Sequence, residues 1–258
     1  MPTLLDPDEP NPVRVLRERG RSDFFLTADH AGRAVPRRLG RLGLPDAEWD
    51  RHIAWDIEIA GVTERLSAAL DATAVLQHYS RLVIDCNRHP AWPSAMPEIS
   101  DNTPIPGNAG LSVEDRAARV SAIFAPYHDR ITALLDTRKA AGQRTILVAM
   151  HSFTPSFKGE SRAMEVGVLF EKDDRLARIM LDLLRAEGDL TVGENAPYAL
   201  GSHTDYGAPV HGDRRGLTHV EIEIRQDEIA AEPGQAAWAE RFARLLTVAD
   251  NRLKAMRL

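Results

Sequence analysis

Residues Thr145–Met150 (TILVAM) form an uninterrupted apolar run of strand length between two stretches with helical periodicity. Such a run reads as a buried strand. The helical stretch before it extends from about Val113 to Ala141, opened by an N-cap pair at Ser112 and Asp115 and kinked at Pro126. Another follows near Asp173–Glu187. Further strands are expected at Asp23–Asp29, Thr73–Gln77, Leu82–Cys86, Val166–Phe170 and Leu217–Arg225, and further helices at Asp46–Leu70 and Glu232–Leu246. Strands alternating with helices predict a three-layer α/β/α sandwich with a mostly parallel or mixed central sheet. No repeat, low-complexity tract or linker divides the chain, so residues 1–258 read as a single domain. Residues 1–20 read as a loosely packed N-terminal arm with one short helical turn. Two long polar loops, 89–111 and 193–216, are of a length that usually serves as a lid or pocket wall.

Composition removes several function classes. A net charge of −6 argues against a nucleic-acid surface. The single cysteine, Cys86, excludes an internal disulfide framework and a thiolate-rich metal site. No apolar run approaches the roughly 20 residues needed to span a bilayer. The opening MPTLLDPDEPNPVRV is acidic and proline-rich rather than basic and then apolar, so it is not expected to be a signal peptide. A cytoplasmic enzyme or binding protein for a small molecule fits these limits.

Two expected strands run straight into a histidine: Asp23–Asp29 into His30, and Thr145–Met150 into His151. In open α/β sheets, sites form beyond the carboxyl ends of the strands, where histidines distant in sequence converge. Neutral imidazole is a common metal ligand, and a catalytic zinc takes three protein ligands and leaves one position open. Strand-end capping is the structural alternative. The third ligand is expected to be Asp56, with His52, four residues earlier on the same predicted helix face, as an alternative ligand or a supporting residue. Asp29 competes but is disfavoured, because adjacent strand residues point to opposite sides. Arg81, Asn87 and Arg88 flank the apolar run Leu82–Ile84, where arginines suit recognition of a carboxylate. In HVEIEIR (219–225) polar and apolar residues alternate, placing His219, Glu221 and Glu223 on one face. Glutamates on a core strand suit a general base beside an activated water; an edge strand with a solvated face is the alternative.

The segments TADHAGRAVP (27–36), HIAWD (52–56), YSRLVIDCNR (79–88), AMHSFTP (149–155), NAPY (195–198), TDY (204–206), HG (211–212) and HVEIEIRQD (219–227) together resemble the N-formylglutamate amidohydrolase family over roughly residues 23–247. The closest likeness is to the branch described only as predicted N-formylglutamate amidohydrolases. The resemblance implies a zinc-exopeptidase-like fold, related to zinc carboxypeptidases and aspartoacylase, and hydrolysis of an N-formyl or other N-acyl group from an acidic amino acid such as N-formylglutamate. It implies one zinc per chain on His30 and His151, with another divalent metal acceptable. DCNR resembles the DLNR segment of aspartoacylase, which makes Asn87, Arg88 and Arg81 substrate-binding residues. Glu223 is the implied general base and Glu221 its register-shifted alternative. Relatives of the carboxypeptidase type take an acid three residues after the first histidine, but Arg33 stands there, so the third ligand comes from elsewhere. Arg81, with Arg215 as a weaker candidate, is expected to stabilise the oxyanion. Tyr206 and Tyr198 are candidates for the pocket wall. The alternatives are a deacylase or peptidase for other substrates, or a non-catalytic small-molecule binding protein. A serine hydrolase is disfavoured because no G-x-S-x-G elbow is present.

Overall fold

Seven strands form one sheet in the order β1-β3-β2-β6-β11-β9-β10 in the computed structural model, which describes residues 3–256. Met1, Pro2, Arg257 and Leu258, the ends of the expected domain and arm, lie outside the described residues. The sheet strands are β1 (Val13–Leu16), β2 (Phe24–Ala28), β3 (Thr73–Gln77), β6 (Ile146–Phe153), β9 (Val166–Leu169), β10 (Val192–Glu194) and β11 (Thr218–Arg225). Two hairpins stand apart from it, β4 (Ile99–Ser100) with β5 (Thr103–Pro104), and β7 (Ser156–Phe157) with β8 (Glu160–Ser161). The helices are α1 (Ile59–Leu70), α2 (Val113–Arg119), α3 (Ala125–Ala140), α4 (Arg175–Glu187) and α5 (Glu232–Ala255). Strands β3, β2, β6 and β11 run parallel, while β1 and β9 pair antiparallel to their inner neighbours, so the sheet is mixed.

Alternation along each strand feeds two cores. Leu26, Leu76, Val148, Val220 and Ile222 face a core built with Leu66 of α1, Met180 of α4 and Phe242 of α5. Phe25, Val75 and Leu147 face the other, which contains Tyr127, Ile131 and Leu135 of α3. The result is the expected three-layer α/β sandwich. Because Leu147 points to the second core, His151, an even number of residues along β6, shares its face. Glu221 and Glu223 lie opposite Ala149 and His151 in the β6–β11 register, on that same face.

Several expected elements are corrected. The helix expected at Asp46–Leu70 is a 3-10 turn (Asp46–Asp50), an irregular stretch and then α1. Ile53 and Ala54 are buried in the second core, whereas Ile59, Val62 and Leu66 are buried in the first. One straight helix cannot present a single stripe to both, and the chain crosses over through Glu58, whose φ is 60°. Leu82–Cys86 is buried but is not a strand. Its carbonyls are taken by side chains: Asn108 Nδ2 donates to Leu82 O (2.9 Å), Arg119 Nη1 to Val83 O (2.9 Å), and His128 Nε2 lies 2.8 Å from Cys86 O. Strand β1 replaces the helical turn expected in the arm, and the short edge strand β10 was not anticipated. Where a kink is expected at Pro126, a π-helical segment, Val120–Phe124, stands just before it between α2 and α3. Among the described residues no helix is long and apolar enough to cross a membrane.

Past His30 the chain runs against residues 78–80 so closely that glycine is required. A Cβ on Gly32 would lie 1.9 Å from the His78 carbonyl oxygen. Gly32→Ala is therefore expected to lower stability by about 1–3 kcal/mol, read from denaturant midpoints; an unchanged midpoint would show that this crossing relaxes freely.

Candidate metal centre and active site

Because β2, β3, β6 and β11 are parallel, their carboxyl ends lie along one edge of the sheet, the usual place for a site in such folds. His30 follows β2 by two residues, Arg81 and Asp85 lie in the buried loop after β3, His151 and Glu223 come from the C-terminal halves of β6 and β11, and Glu221 from the middle of β11. All six line one cavity of about 510 Å³. His151 is within β6 rather than past its end, because the strand continues to Phe153.

The two imidazoles sit with ring centroids 5.1 Å apart. His30 Nε2 lies 2.7 Å from Asp85 Oδ1, and His151 Nδ1 lies 2.9 Å from Asp56 Oδ2. A carboxylate only accepts, so each of these ring nitrogens carries a proton, and the opposite nitrogen of each ring offers a lone pair to a metal ion once its own proton is released. Those opposite nitrogens, His30 Nδ1 and His151 Nε2, lie 3.7 and 3.4 Å from Asp29 Oδ1. Asp29 Oδ1 and His30 Nδ1 are buried without a hydrogen-bond partner, and Glu221 Oε2, also unpartnered, is 3.8 Å from His151 Nε2. Two imidazole nitrogens and two carboxylate oxygens thus converge on one buried spot. Asp29, His30 and His151 form a group that could hold a metal ion.

Asp29 thus joins the expected Asp56 as a carboxylate beside these nitrogens: Asp29 Oδ1 approaches both, while Asp56 Oδ2 lies 3.4 Å from His30 Nδ1 and is bonded to the other ring through His151 Nδ1. Strand alternation argued against Asp29, but β2 ends at Ala28 and both Asp29 and His30 lie in the turn beyond it, where alternation lapses. Asp56 instead receives the His151 ring proton, the Ser152 amide (3.3 Å) and Arg81 Nη1 (3.4 Å). Its own amide donates to the His30 carbonyl (3.0 Å). It orients His151 from behind, and its Oδ2 also lies 3.4 Å from His30 Nδ1. His52 is not beside Asp56 on a helix face; its Nε2 lies 3.4 Å from Asp101 Oδ2, farther out in the cavity wall.

The electrostatics follow from this crowding of carboxylates around two imidazoles. Burial and Arg81 push the His30 pKa down, yet Asp85, Asp29 and Asp56 together raise it to about 9. Burial also opposes the charged form of His151, but Asp29, Glu221 and Asp56 hold its pKa well above the usual histidine value. Burial, aided by Asp205 and Asp29, lifts Glu221 to about 7, and burial first, then Asp56 and Glu221, pushes Glu223 upward. Against burial, Arg81 and His30 hold Asp85 well below the carboxylate range.

These shifts give a pH signature for the metal-free protein. A group whose folded pKa is raised adds stability that is complete below its unfolded pKa and is lost as pH climbs through the folded value. For Glu221 that loss spans about pH 4.5 to 7, and for His30 about 6.5 to 9. Chelator-treated protein is thus expected to lose thermal stability steadily from pH 5 to 9, and metal uptake at pH 7 should release protons. A melting temperature that is flat or rises over that interval would contradict the assignment.

The remaining candidates divide. Arg81 reaches the cavity, but its Nε (3.1 Å) and Nη2 (2.7 Å) are bound to Asp85 Oδ2. Asn87 and Arg88 line the cavity, where Asn87 Nδ2 (3.2 Å) and Arg88 Nη1 (3.0 Å) donate to Asp205 Oδ1. Asn87 Oδ1 also accepts the backbone amides of Tyr206 (3.0 Å) and Gly207 (2.9 Å), tying the second long loop to this one. Arg215 is not in the cavity wall: it pairs with Asp136 at 2.6 Å on the surface. Tyr206 is not there either, since its ring packs on Phe124 and His128 at centroid distances of 5.0 and 4.6 Å. Tyr198 takes the tyrosine place in the wall. Asp29 and Asp205 adjoin His30 and Tyr206 in the sequence, and Asp85 lies between Arg81 and Asn87; that nearness is the only signal the sequence carries for them.

The family model for N-formylglutamate amidohydrolase matches residues 22–230. Among solved structures, a gene product of Agrobacterium tumefaciens is similar at 40% identity over 97% of this chain and 99% of that one, with a TM-score of 0.94. An N-formylglutamate amidohydrolase from Ralstonia eutropha JMP134 shares the fold at 18% identity, covering 95% of this chain and 99% of that one with a TM-score of 0.64. No curated protein matches the sequence.

Proposed function

The chain belongs to the N-formylglutamate amidohydrolase family, and from that premise we propose that it is a zinc-dependent enzyme that hydrolyses the N-formyl or other N-acyl group of an amino acid. The observation that carries the metal is the convergence of one ligand atom from each of the buried residues Asp29, His30 and His151, all within 4.8 Å of one another. Two imidazoles and a carboxylate suit zinc. Manganese, iron or cobalt are chemically acceptable there. A divalent ion in this place supplies Lewis acidity and a water acidified toward neutrality.

The chain's own groups do the rest. Asp85 and Asp56 fix the tautomers of His30 and His151, so that both lone pairs point to one spot. Glu223, opposite His151 in the sheet and with a carboxyl poised upward by burial, accepts the proton of the attacking water and delivers it to the amine nitrogen as the C–N bond breaks. Water is thereby added across the amide, giving a carboxylic acid (formate from a formyl group) and a free amine. Glu221, facing His151 Nε2, is the alternative base. Arg81, held by Asp85 and Asp56, places a fixed positive charge beside the carbonyl oxygen as that oxygen becomes anionic. Arg88 and Asn87 receive the substrate's carboxylate.

Release of free amine from N-formyl amino acids tests this reading. Zinc-loaded protein is expected to turn over, chelation to lower the rate at least about a hundredfold, and added zinc to restore it. Ligand binding without turnover by the loaded protein would favour the non-catalytic alternative.

A further inference from the structure

One guanidinium beside the cavity carries a charge that no carboxylate answers. The two arginines of the wall itself are paired, Arg81 with Asp85 and Asp56, and Arg88 with Asp205. Arg162 follows directly on the β7–β8 hairpin and pairs with no carboxylate among the described residues. Its side chain makes two hydrogen bonds, both through Nη1: to the Thr154 carbonyl (3.3 Å) and to the Tyr198 hydroxyl (3.0 Å). The hydrogens on Nε and Nη2, about three of the five that a guanidinium offers, have no protein partner.

What surrounds Arg162 belongs to the cavity wall. Its guanidinium carbon lies 5.6, 5.0 and 4.8 Å from the ring centroids of Phe153, Phe157 and Tyr198. All three line the cavity, as does Thr154. Aromatic faces attract the cation and fix its plane without neutralising it. Phe153 ends β6, the strand that carries His151, so the group is built on the same rigid element as the candidate metal centre. Burial raises the pKa of the Tyr198 hydroxyl; its bond to Arg162 lowers it, Glu223 raises it and Arg81 lowers it. The phenol bonded to Arg162 is thus within electrostatic reach of the groups to which the chemistry is assigned. The Nε–Nη2 edge left over is a planar fork, the shape that takes both oxygens of a carboxylate.

We propose that Arg162 is a specificity-determining residue: the free Nε–Nη2 edge of its guanidinium, held by Phe153, Phe157 and Tyr198, receives a carboxylate on the side chain of the N-acyl amino acid. Arg88 and Asn87 then receive the α-carboxylate. This rests on the amidohydrolase reading of the same site and adds to it the residue that reads the side chain.

The test is kcat/KM of the zinc-loaded wild type and Arg162→Met for N-formyl-L-glutamate and N-formyl-L-glutamine, which match in shape and differ in side-chain charge. The wild type is expected to prefer the glutamate compound by about 10–100-fold, the scale of a charge-assisted hydrogen-bonded pair. Methionine keeps the contact with the rings and removes the charge, so it should cost the glutamate compound most of that factor and leave the glutamine compound nearly unchanged. A wild-type preference above about threefold that falls at least threefold in the variant supports the inference. A smaller wild-type preference, or a variant that loses as much on glutamine as on glutamate, overturns it. Arg162→Gln, judged by the same ratios, takes the place of Arg162→Met if the latter does not fold. If the wild type hydrolyses neither compound, the amidohydrolase reading fails. Calorimetric Kd values for the two compounds on the same loaded proteins then decide the role of Arg162 separately, by the same ratios.

Discussion

Replacing His151 with alanine is expected to eliminate hydrolysis, by at least about a thousandfold in kcat/KM, together with stable metal retention. His151 Nε2 is one of the three converging ligand atoms, and the ring is built into β6 between two buried neighbours, so no other side chain can be delivered to that spot. Alanine also leaves a void and strands the Asp56 carboxylate, which loses its partner at 2.9 Å. His151→Gln, closer in volume and able to keep an N–H toward Asp56, separates loss of the ligand from loss of the fold. It should fold, bind metal weakly and remain inactive. A His151→Gln protein with normal activity would remove His151 from the mechanism. Asp56→Asn should behave differently. It weakens the orientation of the histidines without deleting a ligand and should lower metal affinity about 10–100-fold.

Glu223→Gln is expected to reduce kcat by about 10²–10⁴-fold with KM little changed and metal content intact. The substitution keeps the shape of the side chain and removes its capacity to accept a proton. Since burial raises the Glu223 pKa, the neutral amide also avoids ionisation in the fold at alkaline pH. The variant should therefore be more stable than the parent above about pH 8, while far less active. A purely structural role would show the stability gain and leave kcat untouched. Should the loss of kcat follow Glu221→Gln instead, the base is Glu221, whose Oε2 faces His151 Nε2 at 3.8 Å.

The parts of this molecule that were legible in the sequence are those governed by periodicity. The apolar run of β6 and the alternation of β11 fixed which side chains share a face, and with it the meeting of His151, Glu221 and Glu223. The parts that were not legible are those where periodicity stops. Asp29 looked excluded because β2 was read one residue too long, and the turn that frees it is a matter of backbone geometry beyond Ala28. Leu82–Cys86 has the composition of a strand, but its carbonyls are satisfied by Asn108, Arg119 and His128, long-range partners that no local pattern reveals. The arginines were recognisable as site residues, yet their state depends on partners distant in sequence. Arg88 is engaged by Asp205, and Arg215 is drawn away from the cavity by Asp136. Charge type is written in the sequence, whereas charge pairing is a property of the fold.

Asp29, His30 and His151 are proposed to hold one catalytic metal ion, with Asp56 supporting it through His151. Elemental analysis of purified wild type, Asp29→Ala and Asp56→Ala after identical zinc loading and dialysis tests it most directly. About one equivalent of zinc is expected in the wild type, essentially none in Asp29→Ala, and a reduced but measurable content in Asp56→Ala. Full metal occupancy in Asp29→Ala with loss confined to Asp56→Ala would contradict it, and so would a wild-type protein that binds no metal at all.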